Sequence, residues 1–402
     1  MTISQSAFNI IVVILLSAFF LGAYLLESIG IKYVSEGGNP LVKIHLYSYL
    51  ILGVVFVSLL KFGIQNYLHS LGQYKITWLV AICCVLFVIA FGLYKQGLSG
   101  MAYIVDLVFT PLLLVPLLFA LTSAQKDIII KILAYLLLFN ACIAILEFFS
   151  GHSIMQVEFS SFSHFRSPAF LSHPLNNALV TVSLTLLLMN KIRIPSIVYF
   201  FIVLIALFAF GGRGSTAVFL TAFAVLSLPA ALKFLTCGVQ LPKLSFAIYQ
   251  AGFFIAIVAV AYTLIMTPIG DRILSKLYVD GSAQARFDVF ILLDQLSLYE
   301  WFFGAGDSIK NNIKFFIGIG TIENYLIGWV VSFGLLGAIP LFTSVFLLPA
   351  RLALDLDLRA RLVIFSFFFT SITNNALSAK SIVILFILMA LICTLRQKNE
   401  TL

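Results

Sequence analysis

The chain has 402 residues, 62% of them hydrophobic and only 10% charged, with a net charge of +8 and a mean hydropathy of +1.11. A soluble domain carries about 25% charged residues, and the deficit here runs the whole length, which excludes a soluble enzyme on a single anchor. The basic residues stand singly or in pairs at the ends of apolar runs, where they set membrane topology rather than bind nucleic acid. Taken in chain order, apolar runs fall at residues 8–29, 44–61, 76–94, 102–122, 128–150, 168–189, 196–210, 214–232, 244–266, 324–350, 362–378 and 381–396. Most are long enough to cross a hydrocarbon core of roughly 30 Å. They predict an all-α polytopic membrane protein with about twelve transmembrane helices, a single domain over residues 1–402. Strand-like alternation is absent, which argues against a barrel. No Lys or Arg precedes Lys32, so the first run lacks the charged lead of a cleaved signal peptide and is expected to be retained.

The runs 196–210 and 214–232 share one long apolar stretch, which Gly211-Gly212-Arg213-Gly214 breaks into two spans because three glycines around an arginine interrupt a helix readily. With both termini on the cytoplasmic side, thirteen Lys and Arg fall in inside connections and six in short outside ones. Those six are Lys32, Lys43, Lys95, Arg166, Arg213 and Lys380, and the remaining five lie in a long outside loop where the rule carries little weight. That loop, 267–323, is long enough to imply a purpose. Within it, Ala285-Arg286-Phe287-Asp288 through Trp301-Phe302-Phe303 predicts one amphipathic helix, closed by Gly304-Ala305-Gly306-Asp307. The other unusual outside stretch, 151–167, carries His152, Glu158, His164 and Arg166. Cys83, Cys84, Cys142, Cys237 and Cys393 have no metal-ligand spacing, and no disulfide or metal is expected.

Five places offer chemistry. Arg213 stands between two apolar spans, where a guanidinium is costly without a partner and marks function by default; its planar fork suits phosphate oxygens. The plainer alternative is an arginine reaching to lipid headgroups. Arg286 opens the predicted amphipathic helix, and read alone it is a solvated position. Arg166 precedes Ser172-His173-Pro174-Leu175-Asn176-Asn177, a polar cluster set one turn into an apolar run, where Pro174 is expected to loosen the helix. His173 and Asn176 would hold ligand there or bond between helices. Glu323 enters the tenth span, where it favours the helix dipole or, partly buried, serves as a general base. Asp355-Leu356-Asp357 resembles a metal-binding pair, but on the cytoplasmic side among Arg351, Arg359 and Arg361 it reads as a solvated interhelical loop. The five histidines have no zinc spacing, and no phosphate-loop or dinucleotide motif occurs.

The order of these pieces resembles the O-antigen polymerase and ligase superfamily, comprising Wzy-type polymerases and their ligase relatives. The pieces are Phe170-Leu171-Ser172-His173-Pro174-x-Asn176, Gly212-Arg213-Gly214, Arg286 before an aromatic, and Phe303-Gly304-Ala305-Gly306. Glu323-Asn324-Tyr325-Leu326 follows, leading into Ser332-Phe333-Gly334-Leu335-Leu336-Gly337. The likeness covers roughly residues 165–350. It implies a GT-C-like fold in the bacterial inner membrane and metal-independent glycosyl transfer on the periplasmic side, in lipopolysaccharide or related polysaccharide synthesis. The donor would be a glycan on a polyprenyl (undecaprenyl) diphosphate, and a polymerase would pass it to a second lipid-linked unit. By this resemblance Glu323, Arg213 and Arg286 are the catalytic residues. Arg166, His173, Asn176, Asn324 and Tyr325 bind substrate, no cofactor is needed, and a chain-length regulator and a flippase are expected partners in the pathway. A ligase, which attaches the glycan to lipid A-core, characteristically has histidine where this chain has Glu323. That alternative and a lipid-linked glycan flippase remain open.

Overall fold

The computed structural model describes residues 3–35, 39–155, 165–238, 242–266, 290–305, 322, 324–374 and 376–395. Each of the twelve apolar runs carries a helix, and no strand occurs among the described residues. In order these are α1 (Gln5–Phe20), α2 (Ala23–Ser28), α3 (Leu46–His69), α4 (Lys75–Ile104) and α5 (Thr110–Phe119). There follow α6 (Ser123–Ser150), α7 (Pro174–Leu188), α8 (Ser196–Phe210), α9 (Arg213–Cys237) and α10 (Lys243–Met266). The last are α11 (Ile291–Asp294), α12 (Leu298–Phe303), α13 (Tyr325–Leu354), α14 (Leu358–Ile372) and α15 (Val383–Thr394). By length and composition, six helical stretches among the described residues are able to cross a membrane. The chain is therefore an all-α protein of membrane type.

All fifteen residues of α7 are buried, and α15 is buried along nearly its whole length. A helix apolar all round belongs at the centre of a bundle, and the others pack about these two. At one end, here the lower, Asp355 accepts from the Tyr74 hydroxyl (2.8 Å) and Gln73 (3.2 Å). Asp357 caps α14 through the Ala360 amide (3.1 Å), so the Asp355-Leu356-Asp357 pair builds an interhelical turn. The upper end holds Lys43, Arg166, Arg213 and Lys380. From the lower end α1, α7, α8, α14 and α15 rise only 12–16 residues, about 18–24 Å at 1.5 Å per residue. Neighbours continue higher. Asn140 of α6 bonds Asn177 near the top of α7 (2.8 Å), yet α6 runs on to Ser150, about 15 Å further. The short helices thus form a sunken floor inside a taller rim, and the chain linking them at that depth is irregular.

Four expectations are corrected. The run 8–29 is not one helix: it stops at Phe20 and restarts at Ala23. Gly22 lies so close to a neighbouring segment that a Cβ there would sit 2.5 Å from the Phe170 carbonyl oxygen. The run 168–189 becomes helical only at Pro174, which takes the first helical position with His173 as cap. Proline is tolerated there, because its missing N–H has no intrahelical acceptor to lose, so nothing is loosened. The run 324–350 is not straight. Tyr325 and Phe346 would stand about 31 Å apart on one axis, but their ring centroids are 6.3 Å apart. The chain reverses at Gly334 (φ 63°, ψ −177°), making 325–333 a re-entrant arm beside the descending helix. Finally, the amphipathic helix is interrupted in its described part. Ser297 forms a capping box with Glu300 and starts α12 afresh after α11. Its earlier residues, including Arg286, lie outside the described residues.

Candidate functional site on the sunken floor

Residues 165–173 cross the floor as a strap without regular structure. Two of its residues that are not glycine, Ala169 (φ 38°) and Ser172 (φ 70°), adopt left-handed backbone. Such conformations cost on the order of 1–3 kcal/mol each and persist only where surroundings over-determine them. Three anchors do so here. The Glu147 carboxylate, 1% exposed, accepts from Ser167 Oγ (2.5 Å), Ala169 N (3.0 Å) and Ile154 N (2.7 Å). Asn140 Oδ1 accepts from Phe170 N (3.1 Å), and Asn177 Nδ2 donates to Pro168 O (2.6 Å) and His173 O (3.0 Å). Ser172 Oγ accepts from Ala23 N (2.7 Å), which is why the α1–α2 break lies against the strap.

On one side of the strap stands the Gly212-Arg213-Gly214 turn. Ser167 N donates to Ala209 O at the top of α8 (3.1 Å), and a Cβ on Gly212 would lie 3.0 Å from Ala178. Gly214 packs as tightly on Thr373 (3.1 Å). Arg213 is exposed as the first residue of α9, where the unpaired N–H groups of a helix start add positive potential. His173 Nδ1 accepts from Leu175 N (3.2 Å).

On the other side is a small, partly open cleft. Ser172 lines it from the strap, Asn176 from the first turn of α7, Tyr33 and His45 from the α2–α3 connection, and Lys380 and Ser381 from the loop before α15. Behind it Asp106, fully buried in a π-helical turn (Val105–Phe109), accepts from Tyr33 OH (2.7 Å), Ser48 Oγ (2.6 Å) and His45 N (3.0 Å). Single π turns often mark functional positions. Lys380 Nζ donates to Tyr33 O (2.5 Å) and Lys43 O (2.6 Å) and sits 3.5 Å from the Tyr33 ring centroid. Burial and then Lys43 lower its pKa to about 8, against the opposing pull of Asp106 and Glu27.

The partition between these parts is formed by residues 373–374 and 376–382. Besides Thr373 and Lys380, its Leu377 carbonyl accepts from Trp329 Nε1 (3.2 Å), and Ser378 packs on Gly328 of the re-entrant arm. That arm is built by two of the expected binding residues. Asn324 caps it, its Oδ1 accepting from Leu326 N (3.0 Å) and Ile327 N (3.4 Å). Tyr325 is fully buried, edge-on to Trp329 at 4.7 Å between centroids. Both side chains thus serve the arm's own structure. At its top, Phe303-Gly304-Ala305 docks on Ser332-Phe333-Gly334: Ala305 N donates to Val331 O (2.7 Å), and Lys95 Nζ donates to the carbonyls of Phe303 and Gly304. Two sequence pieces separated by some thirty residues therefore meet.

Of the expected site, Arg166, His173, Asn176 and Arg213 gather about the strap, and Asn324 and Tyr325 lie across the partition. Glu323, Arg286, Glu158 and His164 lie outside the described residues. Sequence reasoning passed over Asp106, Glu147 and Lys380. The first two were legible as ionisable residues inside apolar runs, which are functional candidates on that ground alone. Among the described residues no cluster of His, Cys, Asp and Glu is arranged to hold a metal. No family model matches the chain, and no curated protein matches it.

Proposed function

We propose that the protein is a polysaccharide polymerase of the O-antigen type, transferring a glycan from a polyprenyl diphosphate to a second lipid-linked unit. In this reading about twelve helices cross the bacterial inner membrane with both termini in the cytoplasm. The upper end is then periplasmic. The observation that carries the proposal is the strained strap, which holds Arg166 and His173 on the floor beside Arg213. Irregular backbone at membrane depth is tolerated only where protein buries it or it lines a cavity, and here it does both.

The chemistry asked of the site is modest. An acceptor hydroxyl attacks the anomeric carbon of the donor, the C–O bond to the diphosphate breaks, and the hydroxyl proton must leave. Arg213, with Arg286 from the long loop, would stabilise the charge that grows on the departing diphosphate. Glu323 would take the proton. His173 and Asn176 would orient sugar or phosphate. Apolar faces between helices would hold the polyprenyl chains, and the lipids would arrive sideways from the bilayer.

A flippase needs charges lining a central cavity. The buried carboxylates here favour the transferase instead, since Asp106 and Glu147 are closed over by donors from their own chain. The test is a gel ladder from purified protein given a lipid diphosphate-linked repeat unit. Wild type should yield a ladder, and Arg213→Ala and Glu323→Gln should abolish it. A ladder that persists in both variants would sink the mechanism.

A further inference from the structure

We propose that α11 and α12 lie in the plane of the membrane surface, with the exposed apolar stripe of α12 set into the upper leaflet where headgroups meet acyl chains. Such a surface meets lipid whether or not the protein transfers glycan. Two helices serve as rulers. α4 turns back at Gly97 (φ 72°, ψ −177°), where Gly92 meets Met101 across the turn, as α13 does at Gly334. Their lower ends are level, joined through Tyr74 and Asp355, and so are their tops, where Gln96 Nε2 donates to Ser332 O (3.2 Å). From Lys75 to Gly97, and from Asp355 to Gly334, the rise is about 32 Å, close to the roughly 30 Å of a hydrocarbon core. Both reversals therefore stand at the upper boundary between hydrocarbon and water. α12 is fastened to both: Lys95 Nζ donates to the Phe303 and Gly304 carbonyls, and a Cβ on Gly304 would lie 2.8 Å from the Gly334 amide nitrogen. The short helix is held at the boundary, not above it.

The side chains of this element divide three ways. Leu292, Leu296, Trp301 and Ala305 pack with Ile327 and Val331 of the re-entrant arm. Asp294, Gln295, Ser297 and Glu300 form a polar edge, the last two joined in their capping box. Leu298, Tyr299, Phe302 and Phe303 belong to neither side and are 77%, 69%, 50% and 38% exposed. At about 100° per residue they cover about 140° of the helix, between Trp301 and Glu300. Immediately below the fastening, α4 and α13 pack together and carry exposed Phe87 and Leu93 on one and Leu336 and Ile339 on the other. The lipid-facing wall thus reaches the foot of α12, and Tyr94, 92% exposed, stands at its top edge. Tyrosine and tryptophan collect at that level because their rings are amphipathic. A helix with one apolar and one polar side settles with its apolar side about 5–10 Å into the boundary. Lipid is therefore the occupant that this stripe fits. Under the glycan-transfer reading, the re-entrant arm is then tied to the surface along which the substrates arrive.

The test places one nitroxide label at a time through Leu298→Cys, Phe302→Cys, Gln295→Cys or Phe87→Cys, in full-length protein whose five native cysteines are replaced by alanine. The protein is reconstituted in vesicles of phosphatidylethanolamine and phosphatidylglycerol. Power-saturation EPR with oxygen and a water-soluble nickel chelate reads the depth of each label. The labels at Leu298 and Phe302 should lie about 5–10 Å below the lipid phosphates. The label at Gln295 should lie at or above the phosphates, and the label at Phe87, on the wall, deeper than both stripe positions. Nickel access at Leu298 and Phe302 equal to that at Gln295 would put the stripe in water and overturn the inference. Exclusion of both reagents there would put the stripe under protein, from this chain or a second copy, and overturn it as well. Leu298 is so exposed that its replacement removes little packing, so its label stays readable if Phe302→Cys fails to fold; unfolding in SDS checks each labelled protein. The depths are read whether or not a ladder forms, so this inference and glycan transfer fail separately.

Discussion

Replacing Glu147 should release the strap, and the size of the effect follows from its bonds. One carboxylate oxygen takes the Ile154 amide, and the other takes both Ser167 Oγ and Ala169 N. Ile154 is itself exposed, so water replaces its lost acceptor, whereas the Ser167 and Ala169 donors are buried. A buried donor left unpaired costs about 1–3 kcal/mol. Glu147→Ala should therefore destabilise by about 3–5 kcal/mol. Glu147→Gln can keep its carbonyl oxygen on Ser167 and Ala169 and turn its amide toward Ile154, for about 1–2 kcal/mol. Unfolding in a graded SDS titration reads the global term. Limited trypsinolysis after Arg166 reads the local one, since cleavage follows the population of the opened strap. The alanine variant should be cut on the order of a hundred- to a thousandfold faster. Equal effects of the two substitutions, or an alanine variant within about 0.5 kcal/mol of wild type, would refute this account of the anchor.

Other perturbations test neighbouring parts. Gly334→Ala should cost about 3–5 kcal/mol in the same SDS titration, because its φ and ψ are open only to glycine. A Cβ would also lie 2.2 Å from the Phe302 carbonyl oxygen. Gly22→Ala should push the strap away from the α1–α2 break, costing about 1–3 kcal/mol in the same titration, because its Cβ would lie 2.5 Å from the Phe170 carbonyl oxygen.

The helices were legible because length and hydropathy are local properties, and residues 196–210 are helical over the expected span. Their interruptions were not, because each depends on a partner remote in sequence. Gly22 meets Phe170, and Gly334 meets Phe302; neither contact leaves a trace in its own neighbourhood. Pro174 illustrates the intermediate case. A proline preceded by a capping-competent histidine marks a helix start as readily as a kink, and the apolar residues on its N-terminal side conceal the start. The gathering of Arg166, His173, Asn176 and Arg213 followed from motif order. The role of Lys380 did not, since a lone lysine in a short connection reads as a topology signal until Tyr33, Lys43 and Asn176 are seen around it.

The central claim is glycan transfer with departure of the lipid diphosphate, and stoichiometry tests it most directly. Protein in vesicles would be supplied with a lipid diphosphate-linked repeat unit, and free polyprenyl diphosphate counted alongside the linkages formed. The account predicts one lipid diphosphate released per linkage, with both lost together in Arg213→Ala. Intact lipid-linked unit crossing the bilayer with no diphosphate released would contradict it.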